Sequence, residues 1–162
     1  MTMPILSHRV KTMALAISLA ALVSAPHYAL AADTPTGPPM SERLANARKS
    51  IDAKDWSKAM FELNQAVREE PHNADVHNLL GYTYRKRATP DLAKAFDHYN
   101  TALKLNPKHK GAHEYIGEAY LMDKKPAEAE KHLVQLEVLC GNKTCEEYVD
   151  LAKSIADYKA KN

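Results

Sequence analysis

The sequence predicts an all-α fold of stacked helical hairpins, because three kinds of residue recur together at intervals of about 34 residues. Each unit carries a small residue, then an alanine, then a proline or glycine that ends a helix. The small residues are 34 and then 36 positions apart, and the alanines and the helix-ending residues are 36 and then 34 positions apart. The three sets are Ala47, Gly81 and Gly117; Ala59, Ala95 and Ala129; and Pro71, Pro107 and Gly141. Helix pairs that stack side by side produce a period of this length.

The first residues are expected to direct export and to be removed. Arg9 and Lys11 precede an apolar run, residues 13–25, that is shorter than the roughly 20 residues needed to span a bilayer. The stretch Ala29-Leu30-Ala31 supplies the small residues that signal peptidase requires. We therefore predict a signal peptide over residues 1–31 and a periplasmic or secreted protein. An uncleaved segment that anchors the chain in the membrane is the alternative.

Removal of the signal peptide balances the charges. Arg9 and Lys11 account for the formal net charge of +2, so the remaining chain has 20 basic and 20 acidic residues. Because no net field favours nucleic acid or an anionic membrane, we predict neither partner and no stable membrane insertion of the mature chain. Residues 32–40 contain three prolines and a glycine, which predicts a disordered linker before a single domain at 41–160.

The three units share a wider pattern of small and large residues. The positions are Ala47, Trp56, Ala59, Leu63, Ala66 and Pro71 in the first and weakest unit; Leu80-Gly81, Tyr84, Ala95, Tyr99, Ala102 and Pro107 in the second; and Ile116-Gly117, Tyr120, Ala129 and Leu133 in the third. With this pattern the chain resembles the tetratricopeptide repeat family over residues 40–143, with repeats at about 40–73, 74–109 and 110–143. The resemblance implies a right-handed superhelix of three helical hairpins.

Side-chain size and helix-end chemistry give physical reasons for this pattern. Gly81 and Gly117 are expected to let the two helices of a hairpin approach closely, while larger residues fill the space between hairpins. Pro90 and Pro126 are expected in the first turn of a helix, and Thr89 is expected to cap the helix that follows it.

A seventh helix is predicted after the third repeat, over residues 144–159. Thr144 and Glu147 fit a capping box at its start. The larger and apolar residues that follow at helical spacing are Tyr148, Leu151, Ala152 and Ile155. Such a helix covers the apolar end of the last hairpin, which open stacks need in order to stay soluble.

Both cysteines lie beside this seventh helix. In an oxidising compartment Cys140 and Cys145 are expected to form a disulfide, whose small loop would contribute roughly 2 kcal/mol. A reactive Cys145 thiol, acidified by the helix N-terminus, is the alternative. The spacing differs from the C-x-x-C of zinc ribbons and from the C-x-x-C-H of haem attachment.

In the tetratricopeptide repeat family the first helix of each hairpin lines a concave surface that receives peptides or helices. The resemblance therefore implies a partner-binding groove formed by Arg48, Ile51, Asn78, Tyr82, Arg85, Glu114, Glu118 and Met122. Repeats that clamp the acidic C-termini of cytosolic chaperones present lysine, asparagine and arginine on this surface. Unit three of this chain presents Glu114 and Glu118 instead, so we expect a ligand with some basic character.

The other charged and metal-binding residue types have ordinary explanations. The basic run of residues 85–87 lies at a helix end, where solvated cations interact well with the helix dipole. Equivalent histidines of successive repeats are about 8–10 Å apart, too far to share an ion. His109 and His113 are close in sequence, but Gly111 lies between them and His109 is expected to precede the helix. We therefore predict no metal site and no cofactor.

No catalytic motif favours an enzyme, since the sequence has no glycine-rich phosphate loop, no nucleophile elbow and no His-Glu-x-x-His. The pattern favours a periplasmic adaptor or assembly factor that binds a peptide or helix of an envelope protein. One alternative is a metal or redox carrier that uses the histidines and the cysteine pair. Another is a self-associating scaffold, with Leu44 and Ile51 of the first helix covered by a ligand or by a second copy.

Overall fold

A computed structural model describes residues 37–162, which form seven α-helices and no strand. The helices are α1 Met40–Asp52, α2 Trp56–Glu69, α3 Ala74–Lys86, α4 Leu92–Leu105, α5 Lys110–Met122, α6 Pro126–Cys140 and α7 Glu146–Lys161. This architecture confirms the predicted all-α class. The predicted signal peptide, residues 1–31, and most of the predicted linker, residues 32–40, lie outside the described residues and stay predictions.

The helices pack as three consecutive pairs, α1 with α2, α3 with α4, and α5 with α6. The first helices of the pairs also contact one another, α1 against α3 and α3 against α5. The last helix, α7, packs against both α5 and α6. Helices α1, α3, α5 and α7 therefore form one continuous layer, which the second helices of the pairs support from behind.

The two helical glycines bring helices together in different ways. A Cβ atom on Gly81 would lie 2.6 Å from the ring of Tyr99, so this glycine lets α4 approach α3, as predicted. A Cβ atom on Gly117 would instead lie 2.7 Å from Leu151. The expectation that Gly117 serves contact within its own hairpin is therefore wrong, because the space beside it is filled by a side chain of α7.

The start of α4 is set by the side chain of Asp91. The first residue of α4 is Leu92, and the carboxylate of Asp91 accepts from the backbone N–H of Lys94 at 3.1 Å. The predictions that Thr89 caps this helix and that Pro90 lies in its first turn are therefore wrong. Pro126 is the first residue of α6, as predicted.

Helix α7 begins later than the sequence predicts. Its N-cap is Cys145, and no side chain caps it. The Thr144 hydroxyl donates to Oδ1 of Asn142 at 2.9 Å, and the backbone N–H of Thr144 donates to the same atom. These bonds hold Thr144 in the turn, so the predicted capping box with Glu147 is wrong.

A disulfide joins the end of α6 to the start of α7. Cys140 and Cys145 are bonded with an S–S distance of 2.03 Å, which confirms the predicted pairing. The sulfur of Cys145 is therefore not a reactive thiol in this structure.

Within residues 37–162, none of the helices combines the length and the hydropathy that crossing a membrane requires.

Candidate functional site

The layer formed by α1, α3, α5 and α7 carries three neighbouring cavities, which together we call the trough. The acidic cleft, of about 270 Å³, lies between Arg48, Asn78, Glu114 and the start of α7. The tyrosine cleft, of about 230 Å³, is lined by Arg48, Ile51, Asp52, Leu79, Tyr82 and Tyr115. The C-terminal cleft, of about 340 Å³, lies between α3, α5 and α7. All eight residues predicted for the groove line at least one of these cavities.

Arg85 lies at the centre of the trough. Only 4% of its surface is exposed, so the expectation of a solvated basic run is wrong for this residue. Its Nη2 pairs with Oε2 of Glu118 at 2.5 Å, and its Nε donates to the hydroxyl of Tyr99 at 3.2 Å. These contacts from α4 and α5 fix the guanidinium on both sides.

Glu118 connects three helices rather than pointing freely into the trough. Besides pairing with Arg85 of α3, it accepts a hydrogen bond from the Ser154 hydroxyl of α7 at 3.1 Å. The sequence pattern indicated α7 only as a cover, so Ser154 was not predicted to contact the trough. Its placement shows that α7 also forms one wall of the trough.

Two tyrosines from successive repeats form the middle of the trough. The ring centroids of Tyr82 and Tyr115 are 4.8 Å apart, and the guanidinium of Arg85 lies 5.3 Å from the first ring and 5.6 Å from the second. Burial raises the pKa of Tyr115 to about 12 and also raises the pKa of Tyr82. Both phenols therefore keep their protons near neutral pH and can donate hydrogen bonds to a ligand.

Glu114 is a largely buried carboxyl group of the trough that has no partner in the part of the chain that the structure describes. Its side chain is 8% exposed and makes no hydrogen bond or ion pair with any residue from 37 to 162. Burial, together with the nearby charges of Glu118, Asp150 and Glu147, raises the pKa of this carboxyl to about 8. A carboxyl group that is buried without a partner costs stability, which makes it a candidate for ligand contact.

Replacement of Glu114 by glutamine is expected to stabilise the protein at alkaline pH. Because the folded pKa of about 8 lies above the ordinary value of 4.5, the folded state loses stability as pH rises between these values. Glutamine does not ionise, so the variant is expected to have a free energy of unfolding about 2 kcal/mol higher than the original chain near pH 8. This figure allows for the part of the effect that solvent screens. Urea unfolding near pH 5 and near pH 8 measures the difference. An equal effect at both pH values, or the same gain in Glu128→Gln, would contradict this assignment.

In the second and third hairpins, one histidine from each helix forms a pair that was not predicted. Nδ1 of His77 lies 3.1 Å from Nδ1 of His98, and Nδ1 of His113 lies 2.9 Å from Nδ1 of His132. The first histidine of each pair uses Nε2 to donate to a proline carbonyl, at 2.9 and 3.0 Å. Its Nδ1 therefore accepts a hydrogen bond from the Nδ1–H of the second histidine.

The histidine pairs are expected to destabilise the fold in acid. Burial and the neighbouring His113 lower the pKa of His132 to about 4. As pH falls below about 6.5, the His132 imidazole takes up a proton in the unfolded state but not in the folded state. The free energy of unfolding therefore decreases until the pH reaches the folded pKa of about 4. We expect His132→Gln to reduce by about 1–2 kcal/mol the stability lost between pH 7 and pH 4.5, since solvent screens part of the effect. Unfolding curves at the two pH values test this, and an unchanged loss would contradict it.

His109 and the cysteine pair, which are potential metal ligands by residue type, are engaged in other contacts. Nδ1 of His109 accepts from the backbone N–H of Ala112, and Nε2 of His109 lies 3.0 Å from Asp75. Within residues 37–162, one group of three potential ligands converges, formed by Cys140, Cys145 and Glu147. Its two sulfurs are joined in the disulfide and are not thiolates.

Comparison with known proteins supports the fold through solved structures. No model of a protein family matches the chain, and no curated protein matches it significantly. The TPR2B domain of yeast Sti1 in a pHsp70 complex is 14% identical, with 76% of this chain and 98% of that chain covered and a TM-score of 0.66. The first TPR domain of Spaghetti (RPAP3), bound to the HSP90 peptide SRMEEVD, is 18% identical, with 75% and 95% covered and a TM-score of 0.64.

A bacterial protein shares the same architecture. The type III secretion translocator chaperone SycD of Yersinia enterocolitica is 18% identical, with 75% of this chain and 92% of that chain covered and a TM-score of 0.65. These likenesses confirm that the chain has the tetratricopeptide repeat fold, which the spacing of its small residues predicts.

Proposed function

We propose that this protein is a periplasmic adaptor or assembly factor that holds a peptide or helix of an envelope protein in its trough. The observation that carries the proposal is the paired rings of Tyr82 and Tyr115, held in place by the buried guanidinium of Arg85. A rigid aromatic platform in a cleft is a typical centre of a protein-binding surface.

The side chains of the trough are already held in place before a ligand binds, so the protein loses little conformational entropy on binding. Arg85 is already fixed by Tyr99 and Glu118, and each tyrosine of the platform has only two side-chain torsions to restrict. The clefts on either side of the platform extend the surface along an elongated ligand. Such a trough suits a segment of another chain better than a compact metabolite.

The charge of the trough suggests which ligands it excludes. The HSP90 peptide SRMEEVD on the Spaghetti (RPAP3) domain carries three acidic residues. The acidic cleft of the present protein is lined by five carboxylates and one arginine. A peptide with a cluster of acidic residues would meet repulsion here, whereas one with basic residues would be attracted.

Export is supported by two independent features. The amino-terminal sequence has the charge and apolar pattern of a signal peptide. The Cys140–Cys145 disulfide is a bond that persists in oxidising compartments such as the periplasm.

Selection of short random peptides displayed on phage against the purified chain tests the proposal. Tyr82→Ala is expected to weaken the selected peptides by about tenfold, because it removes half of the platform. The control is Phe61→Ala on α2, whose ring is 60% exposed and lies outside the trough. This control is expected to change affinity by less than about twofold. Peptides that bind Tyr82→Ala as tightly as the original chain would contradict the proposal.

A further inference from the structure

The acidic cleft contains a buried hydrogen-bond acceptor, Oδ1 of Asn78, that the protein itself leaves unused. Asn78 of α3 is only 7% exposed, and its Oδ1 has no hydrogen-bond partner among the described residues. Beside it, Glu114 of α5 is 8% exposed as a residue, and its carboxyl group, whose oxygens still reach solvent, makes no hydrogen bond or ion pair within residues 37–162. Both side chains line the same cavity of about 270 Å³. Buried acceptors without donors are rare in folded proteins, and they point to a donor that arrives from outside.

The charges around these acceptors define what that donor must be. The ionisable groups that line the cleft are Arg48 of α1, Asp75 of α3, His109 before α5, Glu114 of α5, and Glu146, Glu147 and Asp150 at the start of α7. Asp75 is already paired with His109. The remaining carboxylates outnumber the single arginine, so the cleft attracts a positively charged donor.

The spacing of the carboxylates argues against a metal ion. Metal ligands must converge within a few ångströms of one another, but within residues 37–162 no three of these carboxylates do so. The cavity is also much larger than an ion. A side chain with several N–H donors at its end can reach acceptors that stand apart.

We propose that the acidic cleft receives one lysine or arginine side chain of the bound peptide, whose cationic head takes Asn78 and Glu114 as hydrogen-bond acceptors. This inference rests on the proposed function, since it assigns the basic residue of the same ligand to a defined position. The aliphatic part of the side chain passes over Tyr115, which lines both this cleft and the tyrosine cleft. The cation therefore enters beside the aromatic platform.

Binding of a cation releases a proton from the cleft. Glu114 has a pKa of about 8 in the free protein, so its carboxyl is mostly protonated near pH 6.5. A lysine or arginine stays charged over this range and favours the carboxylate. Affinity is therefore expected to rise by about tenfold between pH 6.5 and pH 8.5. The other groups that face Glu114 are Arg85 of α3, Glu118 of α5, and Glu147 and Asp150 of α7.

Small probes test the cleft without knowledge of the natural partner. N-acetyl-arginine methylamide and N-acetyl-lysine methylamide are titrated into ¹⁵N-labelled protein, with the uncharged norleucine analogue and MgCl₂ as comparisons. We expect saturable shifts of the Asn78 side-chain amide and of the Gly111 backbone amide with the two cationic probes alone. Gly111 is a suitable reporter because a Cβ atom there would lie 3.3 Å from Nδ2 of Asn78.

Matched variants decide between the outcomes. Glu114→Gln is expected to weaken the cationic probes by at least about tenfold and to flatten the pH dependence, while Glu128→Gln leaves both unchanged. Equal shifts from the norleucine analogue, shifts from MgCl₂ at the same residues, or full binding by Glu114→Gln would each overturn the proposal.

The selected peptides separate this inference from the proposed function. If the peptides depend on Tyr82 but tolerate norleucine in place of every lysine and arginine, the cationic site is wrong and the adaptor function stands. If the cationic probes bind as expected but no peptide depends on Tyr82, the cleft is real and the adaptor function is wrong.

Discussion

Replacement of Leu151 by alanine is expected to lower the free energy of unfolding by about 3 kcal/mol. Leu151 is completely buried, and its methyl groups fill the space that Gly117 leaves on α5. It also belongs to the cluster that holds α7 against the third hairpin, together with Leu121, Ala129, Leu136 and Ile155. Alanine would leave a cavity that Gly117, having no side chain, does nothing to fill.

Urea unfolding measures this loss, and hydrogen exchange locates it. We expect the amides of α7 to lose protection before those of α3 and α4, since the disulfide holds only the first turn of α7. The control is Val149→Ala in the same helix, where the side chain is 47% exposed and a loss below about 1 kcal/mol is expected. Equal losses in the two variants would show that α7 does not close the hydrophobic core.

Replacement of Gly81 by leucine is expected to destabilise the protein by about 3 kcal/mol, although leucine is the better helix former by close to 1 kcal/mol. Even a Cβ atom would lie 2.6 Å from the ring of Tyr99, which is fully buried and holds Arg85 through its hydroxyl. The ring cannot move aside without breaking that hydrogen bond. Steric overlap therefore outweighs helix propensity at this position.

Two further variants test whether contact with Tyr99 is the cause. Ala93→Leu on the exposed surface of α4 is expected to change stability by less than about 0.5 kcal/mol. In the double variant Gly81→Leu/Tyr99→Ala the new side chain occupies the space of the ring, so the combined loss is expected to fall below the sum of the single losses. Strict additivity would contradict the proposed contact.

The fold was predictable because the positions of small residues are set by helix packing. The period of about 34 residues, read from residues such as Ala95 and Gly81, predicted three hairpins, and the helical spacing of Leu151 and Ile155 predicted the closing helix. The starts of the helices were less predictable, because more than one residue of a turn can have a side chain that is able to cap the next helix. Asp91 rather than Thr89 caps α4, and Thr144 bonds Asn142 instead of α7.

The trough was predictable in its location but not in its internal contacts. The resemblance to the tetratricopeptide repeat family implied that the first helices line the trough, which indicated residues such as Tyr82 and Glu114. The burial of Arg85 was hidden because its partner, Glu118, belongs to the next repeat. The neighbouring basic residues suggested a solvated run, and only the stacking of α3 on α5 shows otherwise.

The sequence contains a signal for the histidine pairs, because histidines recur at matching positions on both helices of the second and third hairpins. His77 and His113 each follow a helix-ending proline by six positions, Pro71 and Pro107. Equivalent histidines of successive repeats are too far apart to contact each other. The contact lies within a hairpin, between the first helix and the second, and the recurrence of His98 and His132 on the second helices indicated it.

Photocrosslinking in living cells tests most directly that the trough is where this protein holds its partner. A benzophenone side chain is placed at Tyr82, inside the trough, or at Phe61, which is exposed on α2 outside it. We predict a discrete crosslinked species from Tyr82 that the selected peptides compete away, and none from Phe61. Crosslinks of equal yield from both positions, or crosslinks from Phe61 alone, would contradict the account.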